Sequence, residues 1–241
     1  MVKMTVLASG SQGNGYLLEA ESSCLLIEAG VRLSEVKKAL DYNISKVCGC
    51  IITHEHKDHS KYVKEYLQNG IKCYASAGTI EAIGIHSPYL HEISPLKQFT
   101  VDSFTILPFD TKHDCKQPVG YLINNAECGT VLFATDTYYL PNTFKGLNYI
   151  LIECNYDKNI LDGIYVDKSL KTRLYTSHMS IDTCIDALKA NDLSRVKNIV
   201  LIHLSNNHSN ADEFKIRVEA ETGIPTFIAE KGVVLHFDKG R

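Results

Sequence analysis

Short apolar runs recur along this chain at close intervals. They are rich in the β-branched and aromatic residues that suit a pleated, half-buried surface. They predict strands at residues 4–8, 16–20, 24–28, 48–52, 72–75, 105–108, 120–124, 130–134, 149–153, 198–203, 226–229 and 233–237. Helical runs are expected at 33–40, 60–68, 76–82, 181–190 and 211–222. The last two carry their own punctuation: Ser180 and Asn210 as start signals, Asn191 and Gly223 as stops. Strands crowd the first part of the chain, and helices alternate with strands later. That order suits two sheets packed face to face with helices outside, an α+β fold of the four-layer αββα sandwich type.

Composition narrows the class without naming a function. Of 241 residues, 44% are hydrophobic, ample for a substantial core in one large layered domain or two small ones. No repeat, low-complexity tract or linker divides the sequence. No apolar stretch reaches membrane-spanning length, and no secretory leader is legible, so a cytoplasmic protein is expected. The net charge of −3 argues against a broad nucleic-acid-coating surface. It leaves room for a nuclease, because bound divalent ions would turn an acidic site locally positive. The eight cysteines are scattered with no Cys-x-x-Cys pair. Small buried hydrophobes in a reducing compartment account for them best, although Cys48 and Cys50 flank Gly49 and could in principle bind a metal.

The chemistry concentrates at Thr53-His54-Glu55-His56-Lys57-Asp58-His59, directly after an apolar run. Neutral imidazole and carboxylate are the donors that hold Zn²⁺ and similar divalent ions. In extended chain His54 and His56 point the same way, and a following helix start can swing Asp58 and His59 toward a second ion. Other candidate donors also fall at strand exits: His113 after 105–108, Asp136 after 130–134 and His203 at the end of 198–202. Singly, His113 could be a loop residue, Asp136 a turn residue and His203 a core histidine. Their recurrence at strand ends favours one shared site, because active sites gather where loops leave a rigid scaffold.

His-x-His-x-Asp-His resembles the signature of the metallo-β-lactamase superfamily. The run Leu7-Ala8-Ser9-Gly10-Ser11-Gln12-Gly13-Asn14-Gly15, His113-Asp114 with Pro118-Val119-Gly120-Tyr121, Ala134-Thr135-Asp136-Thr137 and His203-Leu204-Ser205 follow the order seen in one branch. That branch is the bacterial YycJ or WalJ group, nuclease-like and akin to ribonuclease Z. The resemblance spans most of the chain, roughly from Val6 to His208. It implies the αββα sandwich and a single domain over residues 1–241.

By the same resemblance, His54, His56 and His113 would hold one ion, Asp58, His59 and His203 a second, and Asp136 would bridge them. Two divalent ions, Zn or Mn, are thus the expected cofactors. Such a pair can clamp a phosphoryl oxygen and supply hydroxide as the nucleophile at neutral pH. Asp58, His178 and Glu153 are the expected catalytic residues. His178 would protonate the leaving oxygen, and Glu153 would orient it by accepting its other N–H. An ordinary polar helix start and a solvent-facing strand end explain His178 and Glu153 equally well. Lys171 and Arg173 resemble a basic segment of the branch and could grip phosphate, although a solvated helix face explains them, and Lys57, Lys61 and Lys64, as well.

The expected activity is that of a phosphodiesterase or nuclease on DNA or RNA, with nucleic acid as partner and no membrane. A homodimer is left open. The alternatives are a small-molecule hydrolase of a lactone, thioester or cyclic nucleotide, and a non-catalytic metal-binding regulatory protein. Three departures from the family pattern stand out. Glu28 occupies the place of a usual aspartate, Tyr156 that of a frequent histidine, and Ser205-Asn206-Asn207 is displaced from later paired asparagines. They bear on support of the histidine loop and on substrate choice.

Overall fold

A computed structural model describes residues 1–163, 165 and 167–240. In chain order the elements are β1 Val2–Ala8, β2 Gly15–Glu19, β3 Cys24–Ile27, α1 Leu33–Ala39, β4 Val47–Ile51, α2 Lys57–Ser60, α3 Val63–Gln68, β5 Cys73–Ser76, α4 Ala77–Ile83, β6 Leu90–Ile93, β7 Phe99–Val101, β8 Phe104–Asp110, β9 Val119–Asn125, β10 Gly129–Ala134, β11 Leu147–Glu153, α5 Lys158–Gly163, α6 Lys168–Ser177, α7 Ile181–Lys189, β12 Asn198–Ile202, α8 Ala211–Thr222, β13 Thr226–Ile228 and β14 Val234–Phe237. They form two mixed seven-stranded sheets, ordered β14-β1-β2-β3-β4-β5-β6 and β13-β12-β11-β10-β9-β8-β7. The α+β class expected from the strand and helix pattern is borne out.

Two compact units divide the chain. The first comprises Met1–Asp110, Cys115–Gly129 and Glu230–Arg241, and the second Thr111–Asp114 and Thr130–Ala229. In the first unit β3, β4, β5 and β6 run parallel. Strands covered on both faces read as continuous apolar runs rather than alternating ones, and every residue of Cys24-Leu25-Leu26-Ile27 is buried. Leu26, Cys50 and Ile52 pack with Val36 of α1 and with Val63, Tyr66 and Leu67 of α3. On β9, Tyr121 is wholly buried and donates its hydroxyl to the Ile52 carbonyl at 2.6 Å, fixing the strand that leads into the histidine run. In the second unit β10, β11, β12 and β13 run parallel, and all seven residues of β11 are buried. The carboxyl ends of parallel strands lie along one edge, where ligand sites of open sheets gather.

Several elements depart from the sequence pattern. The helix expected at 60–68 is two short helices, and it starts earlier. The Tyr62 N–H bonds to the Ala29 carbonyl at 2.9 Å instead of continuing the helical ladder, so α2 ends at Ser60 and α3 begins at Val63. Asp58 and His59 consequently lie inside the turn of α2. Strands β6 and β7 were not anticipated; both are short, and Leu-His-Glu-Ile lacks a full apolar run. Helix α6 was not anticipated either, because it buries only Leu174 and Ser177 and shows almost no apolar stripe. Among the described residues no helix is long and apolar enough to cross a membrane.

Candidate metal centre

Each unit assembles its own group of donors. In the first unit, the parallel strands β3 and β4 deliver Glu28 and Thr53 side by side. Glu28 is 1% exposed and adopts a left-handed backbone with φ of 69°. Its Oε1 accepts from the Thr53 hydroxyl at 2.6 Å, and its Oε2 accepts from the Thr53 N–H at 3.2 Å. The Thr53 hydroxyl proton is thereby spent on Glu28. Its oxygen, 2.9 Å from His54 Nδ1, must then accept from that nitrogen. His54 is so held in the tautomer whose Nε2 carries the lone pair, the form a metal ligand needs. His59, wholly buried, places Nδ1 3.2 Å from Glu28 Oε1 and Nε2 3.2 Å from Asp58 Oδ2. The Asn14 amide nitrogen also lies 3.1 Å from His59 Nε2. The ring of His54 lies 4.7 Å from that of His56 and 4.2 Å from that of His59.

Asn14 locks this arrangement, and its role was not read from the sequence. Its N–H donates to the Asp58 carbonyl at 2.7 Å, its Oδ1 accepts from Gly10 N–H at 2.9 Å, and its Nδ2 lies 3.1 Å from His59 Nε2. The glycine-rich run 9–15 thus connects β1 and β2 while also clamping the loop that carries Asp58 and His59. Gly30 N–H bonds to the Asn14 carbonyl at 3.0 Å. A Cβ on Gly30 would lie 1.8 Å from the Asp58 carbonyl oxygen and 2.6 Å from Asn14 N, so three chain segments meet there only because glycine has no side chain.

In the second unit, Asp136 follows β10 by two residues, Glu153 is the last residue of β11, and His203 directly follows β12. Asp136 and His203 both take left-handed backbones, with φ of 45° and 55°. Such conformations in non-glycine residues cluster at functional sites, held by the surrounding structure. His113 Nε2 lies 3.5 Å from Asp136 Oδ2, and His203 Nε2 3.4 Å from Asp136 Oδ1. His113 Nδ1 lies 2.7 Å from the carbonyl of Ser177, to which it donates. Burial pushes the His113 pKa down, against the pull of Asp136 and Glu153, so the ring is neutral. A neutral imidazole with Nδ1–H committed presents a lone pair to a carboxylate. Two acceptors face each other, an arrangement that a cation between them would reconcile. Ligand atoms about 2.1 Å from one tetrahedral ion stand roughly 3.4 Å apart, which is the spacing of these donor pairs. The donor set therefore fits a divalent ion in its chemistry as well as its spacing.

Asn155 supports His203. Its Nδ2 donates to the His203 carbonyl at 2.8 Å and lies 3.2 Å from His203 Nδ1. Glu153, wholly buried, accepts from Thr137 N–H at 2.7 Å and from Met179 N–H at 3.3 Å, and its Oε1 lies 2.6 Å from His178 Nδ1. The pairing of Glu153 with His178 expected from the sequence is present. Burial works against charging His178, but the charge and hydrogen bond of Glu153, with Asp136 beyond, lift its pKa to about 9. The His178 ring stacks on that of His203 at 5.5 Å and meets His113 edge-on at 5.3 Å. One ligand atom from each of Asp136, Glu153, His178 and His203 falls within 4.8 Å of the others.

The remaining candidates lie elsewhere. Lys171 is paired with Asp162, and Arg173 Nε with Asp114 Oδ2 at 3.2 Å. Lys57 and Lys64 are exposed, and Lys61 lies over the Tyr62 ring at 5.4 Å. All eight cysteines are thiols, and burial pushes those of Cys50 and Cys154 well up. Among the described residues neither Cys48 nor Cys50 joins a metal-ligating group.

Residues 25–204 match a family described as Beta-lactamase superfamily domain. The chain is 29% identical over 226 residues to Exodeoxyribonuclease WalJ of Streptococcus pneumoniae serotype 2, covering 86% of this chain and 83% of that protein. It is 28% identical over 218 residues to Exodeoxyribonuclease YycJ of Bacillus anthracis, covering 83% and 81%. Among solved structures it resembles the metallo-beta-lactamase fold protein YhfI from Bacillus subtilis, with a TM-score of 0.76, 19% identity and coverage of 97% and 98%. The fold expected from the His-x-His-x-Asp-His run is thus the fold observed.

Proposed function

The chain belongs to the β-lactamase superfamily and is a metal-dependent hydrolase, and on that premise we propose that it is a phosphodiesterase acting on nucleic acid, with DNA exonuclease action first in rank. The relatives that extend over most of its length are named as exodeoxyribonucleases. The observation that carries the metal part is His113, its Nδ1–H committed to the Ser177 carbonyl and its Nε2 turned on Asp136 at 3.5 Å. The ligand set of the proposal is His54, His56, Asp58, His59, His113, Asp136 and His203, with two divalent ions, Zn or Mn. Ions held there would supply positive charge to a phosphoryl oxygen and make bound water acidic. One catalytic domain over residues 1–241 and a cytoplasmic location belong to the same proposal.

The chain's own residues divide the remaining work. Glu28 and Thr53 hold His54 in its ligand tautomer, and Asn14 packs its amide nitrogen against His59 Nε2. Asn155 holds His203. His178 keeps Nδ1–H on Glu153 and carries a second proton at Nε2, ready for the oxygen that leaves phosphorus. Two backbone N–H donors hold the Glu153 carboxylate in place against His178.

Hydrolysis of bis-p-nitrophenyl phosphate and of end-labelled DNA and RNA, with Mn²⁺ and Zn²⁺ supplied separately, tests the proposal. Turnover of the ester and stepwise shortening of a labelled strand are expected. Turnover of lactones or thioesters with no phosphodiester turnover would replace it with the small-molecule alternative.

A further inference from the structure

Glu55 stands between His54 and His56, yet it joins none of the metal-ligating groups among the described residues. Its side chain is half-buried, and its Oε1 accepts from the Lys116 N–H at 2.8 Å. Its Oε2 is shut away from solvent with no hydrogen-bond partner among the described residues. The Glu55 carbonyl is held as well, because the Ser60 hydroxyl donates to it at 2.7 Å. Leaving a buried carboxylate oxygen unsatisfied is costly. Such departures from full pairing gather at functional sites. Beyond Lys116 the chain is stitched to the exits of β4 and β5. The Val119 N–H donates to the Thr53 carbonyl at 3.1 Å, and the Tyr121 hydroxyl to the Ile52 carbonyl. The Ser76 hydroxyl donates to the Gln117 carbonyl at 2.6 Å, and the Gly78 N–H to Gln117 Oε1 at 3.0 Å. A Cβ on Gly78 would lie 2.7 Å from Gln117 Cβ, so the segment sits hard against the start of α4. Of these bonds, the one at Lys116 is made by a side chain of the histidine run itself.

We propose that Glu55 is a positioning residue for His113: by holding the Lys116 N–H it fixes the path on which the chain leaves that histidine. The run that carries His54 and His56 would thereby also place the third histidine of the same proposed ion. The inference rests on the ligand set of the proposed function and adds a residue to its support. A metal donor has to be held within about 0.5 Å of its productive position. The His113 ring is oriented by the Ser177 carbonyl on Nδ1. Its backbone is fastened on the near side, where the Lys112 N–H donates to the Thr137 hydroxyl at 3.0 Å and the Tyr138 N–H to the Lys112 carbonyl at 3.1 Å. Glu55 supplies an anchor on the far side. The Lys116 N–H belongs to the Cys115–Lys116 peptide, and only Asp114 and Cys115 separate it from His113. Residue 117 stays on α4 whatever stands at position 55, so loss of the carboxylate acts locally and leaves the fold intact.

Zn²⁺ affinity, read by competition with a chromogenic chelator, and hydrogen exchange of residues 113–118 in metal-free protein test the role apart from turnover. Glu55→Ala should weaken Zn²⁺ binding by about 10–100-fold, the usual loss when a partner that orients a ligand is removed. It should also speed exchange in that segment while circular dichroism stays unchanged. Glu55→Gln keeps a side-chain oxygen able to accept from the Lys116 N–H, and it should stay near wild type in both measurements. In a His113→Ala background, Glu55→Ala should cost nothing further, because residues that act through one another are not additive. Glu81→Ala frees the Lys116 side chain but not its N–H, and it is the control that should change neither. Wild-type affinity in Glu55→Ala, an equal loss in Glu55→Gln, or the same loss with and without His113 would overturn the proposal. Where His113→Ala itself weakens Zn²⁺ binding, each of these outcomes strikes Glu55 alone and spares the ligand set. Undiminished affinity in His113→Ala would overturn both.

Discussion

Two buried glutamates organise the histidines, and each serves one unit. Glu28 touches His59 directly and reaches His54 through Thr53. The glutamate arm, one methylene longer than the usual aspartate, is accommodated by a left-handed backbone at φ of 69°. Glu28→Gln should therefore cost about 10–100-fold in metal affinity, the usual toll of losing a partner that orients a ligand. Competition against a chromogenic chelator measures this, with circular dichroism unchanged. Thr53→Val should give a smaller loss, because His59 keeps its direct contact; losses of equal size would break the proposed relay. In the second unit, His178→Ala should slow cleavage of poor leaving groups by about 10²–10⁴-fold and nitrophenyl esters much less. Equal losses on both would take His178 out of the acid role. Glu153→Gln should reproduce part of the loss. Asp58→Ala should abolish turnover while the fold survives.

At the level of elements, all twelve strands expected from apolar runs are present. The runs were legible because central strands of a doubly covered sheet are apolar at every position. The elements that escaped, β6, β7, α5 and α6, are short or polar on most faces. The break between α2 and α3 was invisible because it is made by a bond from Tyr62 to Ala29, distant in sequence. Gly30 has the same character. Gly30→Ala would drive a methyl group into the Asp58 carbonyl. It should cost at least about 2 kcal/mol in urea denaturation, by overpacking against backbone that cannot rotate away. It should also weaken metal binding, since the displaced oxygen belongs to Asp58, one of the proposed ligands. Wild-type stability in this variant would mean that the three segments approach less closely than described.

For the whole molecule, metal content and pH should both set stability. Ions that bind only the folded chain stabilise it by mass action, about 2.7 kcal/mol when present at a hundred times Kd. Chelation should accordingly lower Tm, and Zn²⁺ or Mn²⁺ should restore it; a Tm indifferent to both would argue against the ligand set. In metal-free protein, His178 is raised from 6.5 to about 9 by Glu153. A raised folded-state pKa stabilises fully below the unfolded value and loses that contribution as pH climbs through the folded one. The Tm of metal-free protein should therefore fall between about pH 6.5 and 9, and Glu153→Gln should flatten that decline.

The sequence by itself determined the class of fold and the strand succession, and it singled out candidate donors, because burial on two faces and metal ligation each demand particular residue types in short, local patterns. It named His54, His56, Asp58, His59, His113, Asp136 and His203, and it paired His178 with Glu153. Only the tertiary structure decided which nitrogen each histidine presents, because a tautomer is fixed by whatever faces the other nitrogen. For His54 and His113 that partner is Thr53 and the Ser177 carbonyl. Tertiary structure also assigned Asn14, Gly30 and Asn155 their tasks and separated Arg173 from Lys171. Those facts depend on which distant segments meet, and no local pattern of residues carries them.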